Sequence, residues 1–342
     1  IVMLSLYAYA FGSYGASLFP SGSQGVWKHI LITGSVVGIS GLNLLSAKLV
    51  GEAEDWIVLV KVAILLLFIG LGIWRVDIAR LAPGAWSSPL ELVAGGMIIF
   101  LAYEGFELIA NTAVDVQDAG KTLPRAYYSS VVFVILLYVM VAAVTLGTLS
   151  VADIVNAKDY ALADAARPFL GEAGFLLIAV AAMLSTASAI NATIYGAARL
   201  SFIIARDGEL PRLLERKAWG EPIGGLLITS GATLVIANLA DISSMSMMGS
   251  AGFLLIFAAV NAANAAMATD TQSSRALSLI GAVFCLGAFG SLVWYAAVRH
   301  PGRLWVLFGM VLAALLIEIT YRMATGRSLN PSQGPERRGG RS

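Results

Sequence analysis

Apolar and polar positions in this chain segregate into long blocks rather than short periods. Ten apolar stretches stand out, at 1–18, 30–47, 56–74, 91–114, 128–149, 172–197, 223–239, 245–268, 277–298 and 304–323. Their lengths match the roughly 17–25 residues that carry a helix across a bilayer core. In hydrocarbon every backbone N–H and C=O needs a partner, and a helix supplies them all within one segment. The pattern therefore predicts an all-α membrane protein with ten transmembrane helices. The dyad alternation of a membrane β-barrel is absent. Clusters of Gly, Pro and Ser at 20–25, 82–89 and 300–302 mark loops. The first stretch is apolar from its first residue, with neither an initiator Met nor a basic leader, so it is expected to continue a helix that starts upstream. Residues 1–324 form the expected membrane core, and 325–342, rich in Gly, Pro and Arg, the expected disordered tail.

Composition sharpens this picture. Hydrophobic residues make up 58% and charged residues only 13%, with mean hydropathy +0.81, against about 25% charged in soluble domains. The charges also lie unevenly. Of the 22 Lys and Arg, fourteen fall on the side that holds the 48–55 loop and seven on the other, with Lys61 inside a span. Basic loops stay inside, so the 199–217 loop and the C-terminal tail are expected to be cytoplasmic. The segment Val151–Arg167 lies on the other side and reads as a short amphipathic surface helix, either plain or acting as an external gate. The single cysteine, Cys285, cannot pair within the chain. No Walker loop or H-E-x-x-H occurs, and the two histidines, His29 and His300, lie near loops. No cofactor, metal, nucleic-acid partner or enzymatic activity is expected.

Three places break the apolar pattern. The first is Lys61, inside the otherwise apolar Trp56–Trp74. A lysine at membrane depth costs roughly 2.5–3.5 kcal/mol on insertion scales. Loss of water disfavours the charged amine, so such a lysine either holds a partner or exchanges a proton. The bland alternative is snorkelling to the interface. The second is FLAYEGFELIANT, Phe100–Thr112, where Glu104 and Glu107 flank Gly105. Two carboxylates and a glycine fit a discontinuous helix whose free backbone groups line a cavity and bind a small zwitterion. They also fit a continuous helix with a packing glycine and acids turned to neighbouring helices. The third is LSTASAINATIYGAA, Leu184–Ala198, whose Ser185, Thr186, Ser188 and Asn191 give a small, polar face. That face suits close helix packing or hydroxyl ligation of the Lys61 ammonium. Tyr7, Tyr9 and Tyr14 read as interfacial anchors, Asn261 and Asn264 as interhelical glue.

FLAYEGFELIANT followed by LPRA at Leu123–Ala126, GLNLLSAKLVGEAEDWIVLVKVAILLLFIGLGIW at 41–74, and NATIYGAARLSFIIARDGELPRLLERKAW at 191–219 resemble, in that order and spacing, the amino acid–polyamine–organocation (APC) superfamily. They are most similar to its archaeal proton-coupled, broad-specificity amino acid transporters. The resemblance implies a LeuT-type inverted-repeat transporter fold, with the ten stretches as helices 3 to 12 and the first two missing. It implies that the main chain at Leu101, Ala102, Tyr103 and Glu104, next to Gly105, receives a substrate amino group, with Phe106 at the gate. It puts Lys61 where sodium-coupled relatives hold their ion, and Ser188 at the adjoining hydroxyl. Ala187, preceding Ser188, departs from the paired hydroxyls of sodium-coupled members and favours protons. Glu107, Ser185, Thr186 and Asn191 are secondary candidates. The expected activity is proton-coupled import of small amino acids across the cell membrane by alternating access. An amino acid or polyamine exchanger of the same fold, and a substrate sensor that does not transport, are the alternatives.

Overall fold

The computed structural model describes residues 1–45, 47–106, 109, 116–206, 210–215, 217–218, 221–299 and 301–325. The tail expected from 325 onward, beyond Thr325 itself, lies outside the described residues, as does Glu107. Every one of the ten apolar stretches contains helix. In chain order the helices are α1 (Val2–Ala16), α2 (Gln24–Leu45), α3 (Ala47–Gly72), α4 (Pro89–Ile98), α5 (Ala119–Thr148), α6 (Val151–Ala157), α7 (Ala161–Arg206), α8 (Ile223–Leu239), α9 (Ile242–Ala266), α10 (Arg275–Arg299) and α11 (Pro301–Thr325). Two-residue strands, β1 (Lys217–Ala218) and β2 (Glu221–Pro222), pair antiparallel in the turn before α8.

Among the described residues, six helices are long and apolar enough to cross a membrane. They are Ser21–Leu44, Trp56–Arg75, Ala119–Thr148, Val151–Arg206, Ile242–Ala266 and Arg275–Arg299. Pro89–Tyr103 and Ile223–Leu239 are apolar but shorter. The expected ten spans are thus not all matched by full-length helices. The clearest cause is local, since the 91–114 stretch stops being helical at its middle.

The amphipathic segment at 151–167 forms two helical pieces. Ser150 accepts a hydrogen bond from the backbone N–H of Asp153, whose carboxylate bonds back to Ser150, so a capping box opens α6. The next piece, 161–170, merges into α7 through Gly171, whose backbone is not helical (φ 63°, ψ −156°). Between the two pieces, Asp159 accepts from Ser13 Oγ at 2.9 Å and pairs with Lys28 Nζ at 3.3 Å. The surface segment is therefore tied to α1 and α2.

Helix α7 is the spine of the packing. Its first half carries Phe175 and Ile178 into a cluster with Phe68, Ile69, Leu137 and Val144 of α3 and α5. Its second half carries Ile190 and Ile194 into another, with Leu4, Ile32, Val36 and Leu226 of α1, α2 and α8. A third cluster joins α9, α10 and α11 through Met247, Leu254, Leu292 and Leu307, with Met97 and Ile98 of α4 against it. Outward-facing Leu136, Val139, Val283 and Phe284 are exposed. An apolar surface of that extent is a lipid-facing surface. Polar side chains also join helices. Ser40 and Ser230 hydroxyls meet at 2.7 Å across α2 and α8.

Candidate functional site: a broken helix and a half-buried lysine

Helix α4 starts firmly. Pro89 occupies its first turn, and Ser88 and Glu91 form a capping box. Arg299 at the end of α10 pairs with Glu91 and fixes this end of the helix. The other end gives way. After Ile98 the chain tightens into a 3₁₀ turn over Ile99–Tyr103, then Glu104 is extended (φ −70°, ψ 154°). Gly105 follows with φ 119°, a conformation that L side chains rarely adopt. The α-helix ends at Ile98, and the residues that would carry a second half, 107–108 and 110–115, lie outside the described residues.

Two neighbours hold the break. Ser250 of α9, fully buried, accepts the backbone N–H of Leu101 at 3.0 Å and donates to the carbonyl of Ile98 at 3.2 Å. The residue before it, Gly249, lets Leu101 lie against the α9 backbone. A Cβ at 249 would stand 2.6 Å from Leu101 Cδ2. From α5, the Tyr138 hydroxyl donates to the carbonyl of Ala102 at 3.2 Å. Backbone groups released by unwinding are thus taken up by side chains of other helices, as burial in apolar surroundings demands.

A cavity of about 690 Å³ opens beside the break, and Ala102, Tyr103, Glu104, Gly105 and Phe106 all line it. Leu101 lies behind this wall, 2% exposed. Across the cavity stand Ser130, Val131, Val134, Ile135 and Tyr138 of α5. Aromatic contacts fix the rim. Tyr103 and Tyr138 rings lie 5.2 Å apart, and Phe106 stacks on Phe257 of α9 at 5.7 Å. The Glu104 carboxylate is buried at this wall, 7% exposed. The cavity is lined by the unwound turn, Ala102 to Phe106, on one side and by an apolar and aromatic wall on the other. That suits a small molecule with an amino group and an organic side chain.

Lys61 sits near the middle of α3, half buried. Its Nζ donates to Ser188 Oγ on α7 at 3.4 Å. A second, smaller cavity of about 190 Å³ is lined by Lys61, Ser185 and Thr186, with Leu162 of the surface segment also in its wall. Three of the four expected α7 residues thus gather near the amine. Asn191 does not join them. Its side-chain carbonyl accepts from Asn43 Nδ2 at 2.7 Å, while Asn43 also donates to Ile39 O at 3.0 Å. That bond ties α7 to α2. Thr186 donates back to its own helix, to the Ala182 carbonyl at 2.8 Å. Lys61 thus reaches across from α3 to Ser188 of α7.

Sequence reasoning missed Ser250, Gly249 and Tyr138. A signal for the first two existed in the small pair Gly249–Ser250 inside an apolar stretch, but such pairs are commonly packing residues. The glue expected of Asn264 is present, since it donates to Ser278 on α10 at 2.8 Å. Among the described residues no three His, Cys, Asp or Glu side chains gather as a metal site.

Comparison with known proteins bears on this arrangement. The sequence profile of the family described as "Amino acid permease" matches residues 1–317. An uncharacterized protein of Methanocaldococcus jannaschii is 34% identical over 334 residues, 96% of this chain and 76% of that protein. The inner membrane transport protein YbaT of Escherichia coli is 29% identical over 327 residues, 95% of this chain and 76% of that protein. The methylthioribose transporter of Bacillus subtilis is 27% identical over 263 residues, 74% of this chain and 55% of that protein.

Proposed function

The chain belongs to the amino acid permease family, a family of multi-pass membrane transporters and not of enzymes, and from that premise we propose that it imports small amino acids together with protons. The observation that carries this reading is the cavity at the break in α4, lined by five consecutive residues from Ala102 to Phe106. A substrate amino group would be received by main-chain carbonyls of 101–104 and by the Glu104 carboxylate. The substrate side chain would lie against the aromatic wall. Phe106, stacked on Phe257, would close the cavity from one side. The transporter would sit in the cell membrane with its C-terminus in the cytoplasm, and access would alternate by rocking one set of helices against another.

The proton step is assigned to Lys61. Its bond to Ser188 joins α3 to α7. A charged ammonium away from water needs such partners, whereas a neutral amine needs them less. Protonation would then bias which arrangement of the helices is favoured, as a local charge moves a two-state element. Ser185 and Thr186, on the same small cavity, are available to the ammonium or to water that carries the proton.

The test is uptake of labelled amino acids by the whole protein in proteoliposomes across an imposed pH gradient. The expected result is accumulation driven by an inward proton gradient, lost in Lys61→Ala. Accumulation that persists in Lys61→Ala would remove the coupling role. Exchange of one amino acid for another without any gradient, equal in both proteins, would favour an exchanger. Binding without accumulation would favour a sensor.

A further inference from the structure

The hydroxyl of Ser250 bridges the carbonyl of residue 98 and the N–H of residue 101. Those two groups are three apart, the pair that an i→i−3 turn joins directly. A side-chain hydroxyl between them serves as acceptor for one and donor for the other, a use that Ser supports with one O–H and two lone pairs. This bridge lies where α4 changes from α to 3₁₀ geometry, at Ile98–Ile99, on the first turn of the 3₁₀ segment that Ile98 caps. It comes from another helix, α9, across 152 and 149 residues of sequence. Ser250 is fully buried, so neither backbone group has water to replace it. Next to it, Gly249 leaves room for Leu101 alone.

We infer that Ser250 is a positioning residue for the substrate. It sets, from α9, where the helix unwinds and hence where the carbonyls of residues 101–104 point. The inference rests on the proposed substrate site, because only there do those carbonyls meet a ligand. It assigns to α9 a role beyond packing. Any movement of α9 relative to α4 shifts the hydroxyl, and with it the register of the unwound turn. No contact between Ser250 and substrate is required, since Leu101 lies between it and the cavity.

The experiment compares Ser250→Ala with Ser40→Ala in the whole protein. Both remove a buried interhelical hydroxyl, but Ser40 lies away from the break and pairs with Ser230. Two quantities are read: the KM and Vmax of amino acid uptake, and backbone hydrogen exchange over residues 98–106. Ser250→Ala is expected to raise KM about tenfold with Vmax within about twofold, as loss of a buried hydrogen-bonding pair warrants. Its exchange over 98–106 is expected to quicken, and Ser250→Thr to restore both. Ser40→Ala is expected to change neither. Wild-type KM in Ser250→Ala, or exchange over 98–106 no faster than in Ser40→Ala, would overturn the inference. If Ser250→Ala does not reach the membrane, Ser250→Cys decides in its place, because a thiol leaves no cavity and weakens both hydrogen bonds. A raised KM there supports the inference and an unchanged one overturns it. If the wild type takes up no amino acid, the transport proposal falls by itself, and hydrogen exchange over 98–106 still decides the role of Ser250.

Discussion

The break in α4 and the second half of α7 are both apolar stretches interrupted by a glycine and polar side chains, and they behave in opposite ways. The interruptions are Glu104 and Gly105 in one, and Ser185, Thr186, Ser188, Asn191 and Gly196 in the other. In α7 the polar groups are spent on side-chain bonds or on their own helix. Thr186 donates to Ala182 O, Ser188 receives Lys61, and Asn191 receives Asn43. Side chains of α7 reach its own carbonyls, and 172–206 stays helical. At the end of α4 the traffic runs the other way. Hydroxyls of Ser250 and Tyr138 come from α9 and α5 to backbone groups of 98, 101 and 102. There the helix unwinds, and Gly105 turns the chain with φ 119°. Polar content alone does not open a membrane helix. At this break, neighbouring helices offer their own donors and acceptors to the backbone.

The largest effect that tests this contrast is expected at Gly105. A leucine there would have to hold a positive φ, at about 3 kcal/mol, close to a hundredfold. Gly105→Leu should therefore cut substrate affinity about a hundredfold by titration calorimetry while the protein still inserts. Undiminished binding would mean that the turn at 105 plays no part in the site. A smaller effect is expected at Tyr138. Tyr138→Phe removes one hydrogen bond to Ala102 O and keeps the ring against Tyr103, so KM should rise about fivefold, matching about 1 kcal/mol. Should KM stay put, the carbonyl of 102 is oriented without α5. The smallest effect on function belongs to α7. Asn191→Ala should lower thermal stability slightly, by about 0.6 kcal/mol for an interhelical bond in a membrane, with KM within about twofold of wild type. A large KM change there would place Asn191 at the substrate site and erase the distinction between the two regions.

Much of this was legible from residues alone. Lys61 stands out because one charge among apolar neighbours is costly at that depth, and Glu104–Gly105 because a glycine beside a carboxylate weakens a helix where lipid allows no water. Ser188 was marked by the small polar face of 184–198 and by the family resemblance, and it does meet Lys61. Asn191, on the same face, follows the packing alternative. Three residues along a helix put two side chains on one face, but a face of α7 meets both α3 and α2, and Asn191 reaches Asn43 of the latter. Tyr138 was invisible because a tyrosine within an apolar stretch gives no sign of which carbonyl its hydroxyl will meet. By composition 91–114 reads as one span, while α4 stops at Ile98 and residues 107–108 and 110–114 lie outside the described residues, because hydropathy does not register where a helix ends.

By itself the sequence determined the material of this protein: helices in lipid, the segments that form them, and the few side chains too polar to lie there idle. Hydropathy and backbone hydrogen bonding decide those, and both act along the chain. Only the tertiary structure decided which helix faces which. It brought Ser250 into the α4 ladder across some 150 residues and sent Asn191 toward α2 rather than α3. The reason is geometric: lipid is as apolar as a helix flank, so the hydrophobic effect does not choose partners within the membrane, and that choice falls to packing of small residues and to hydrogen bonds between helices.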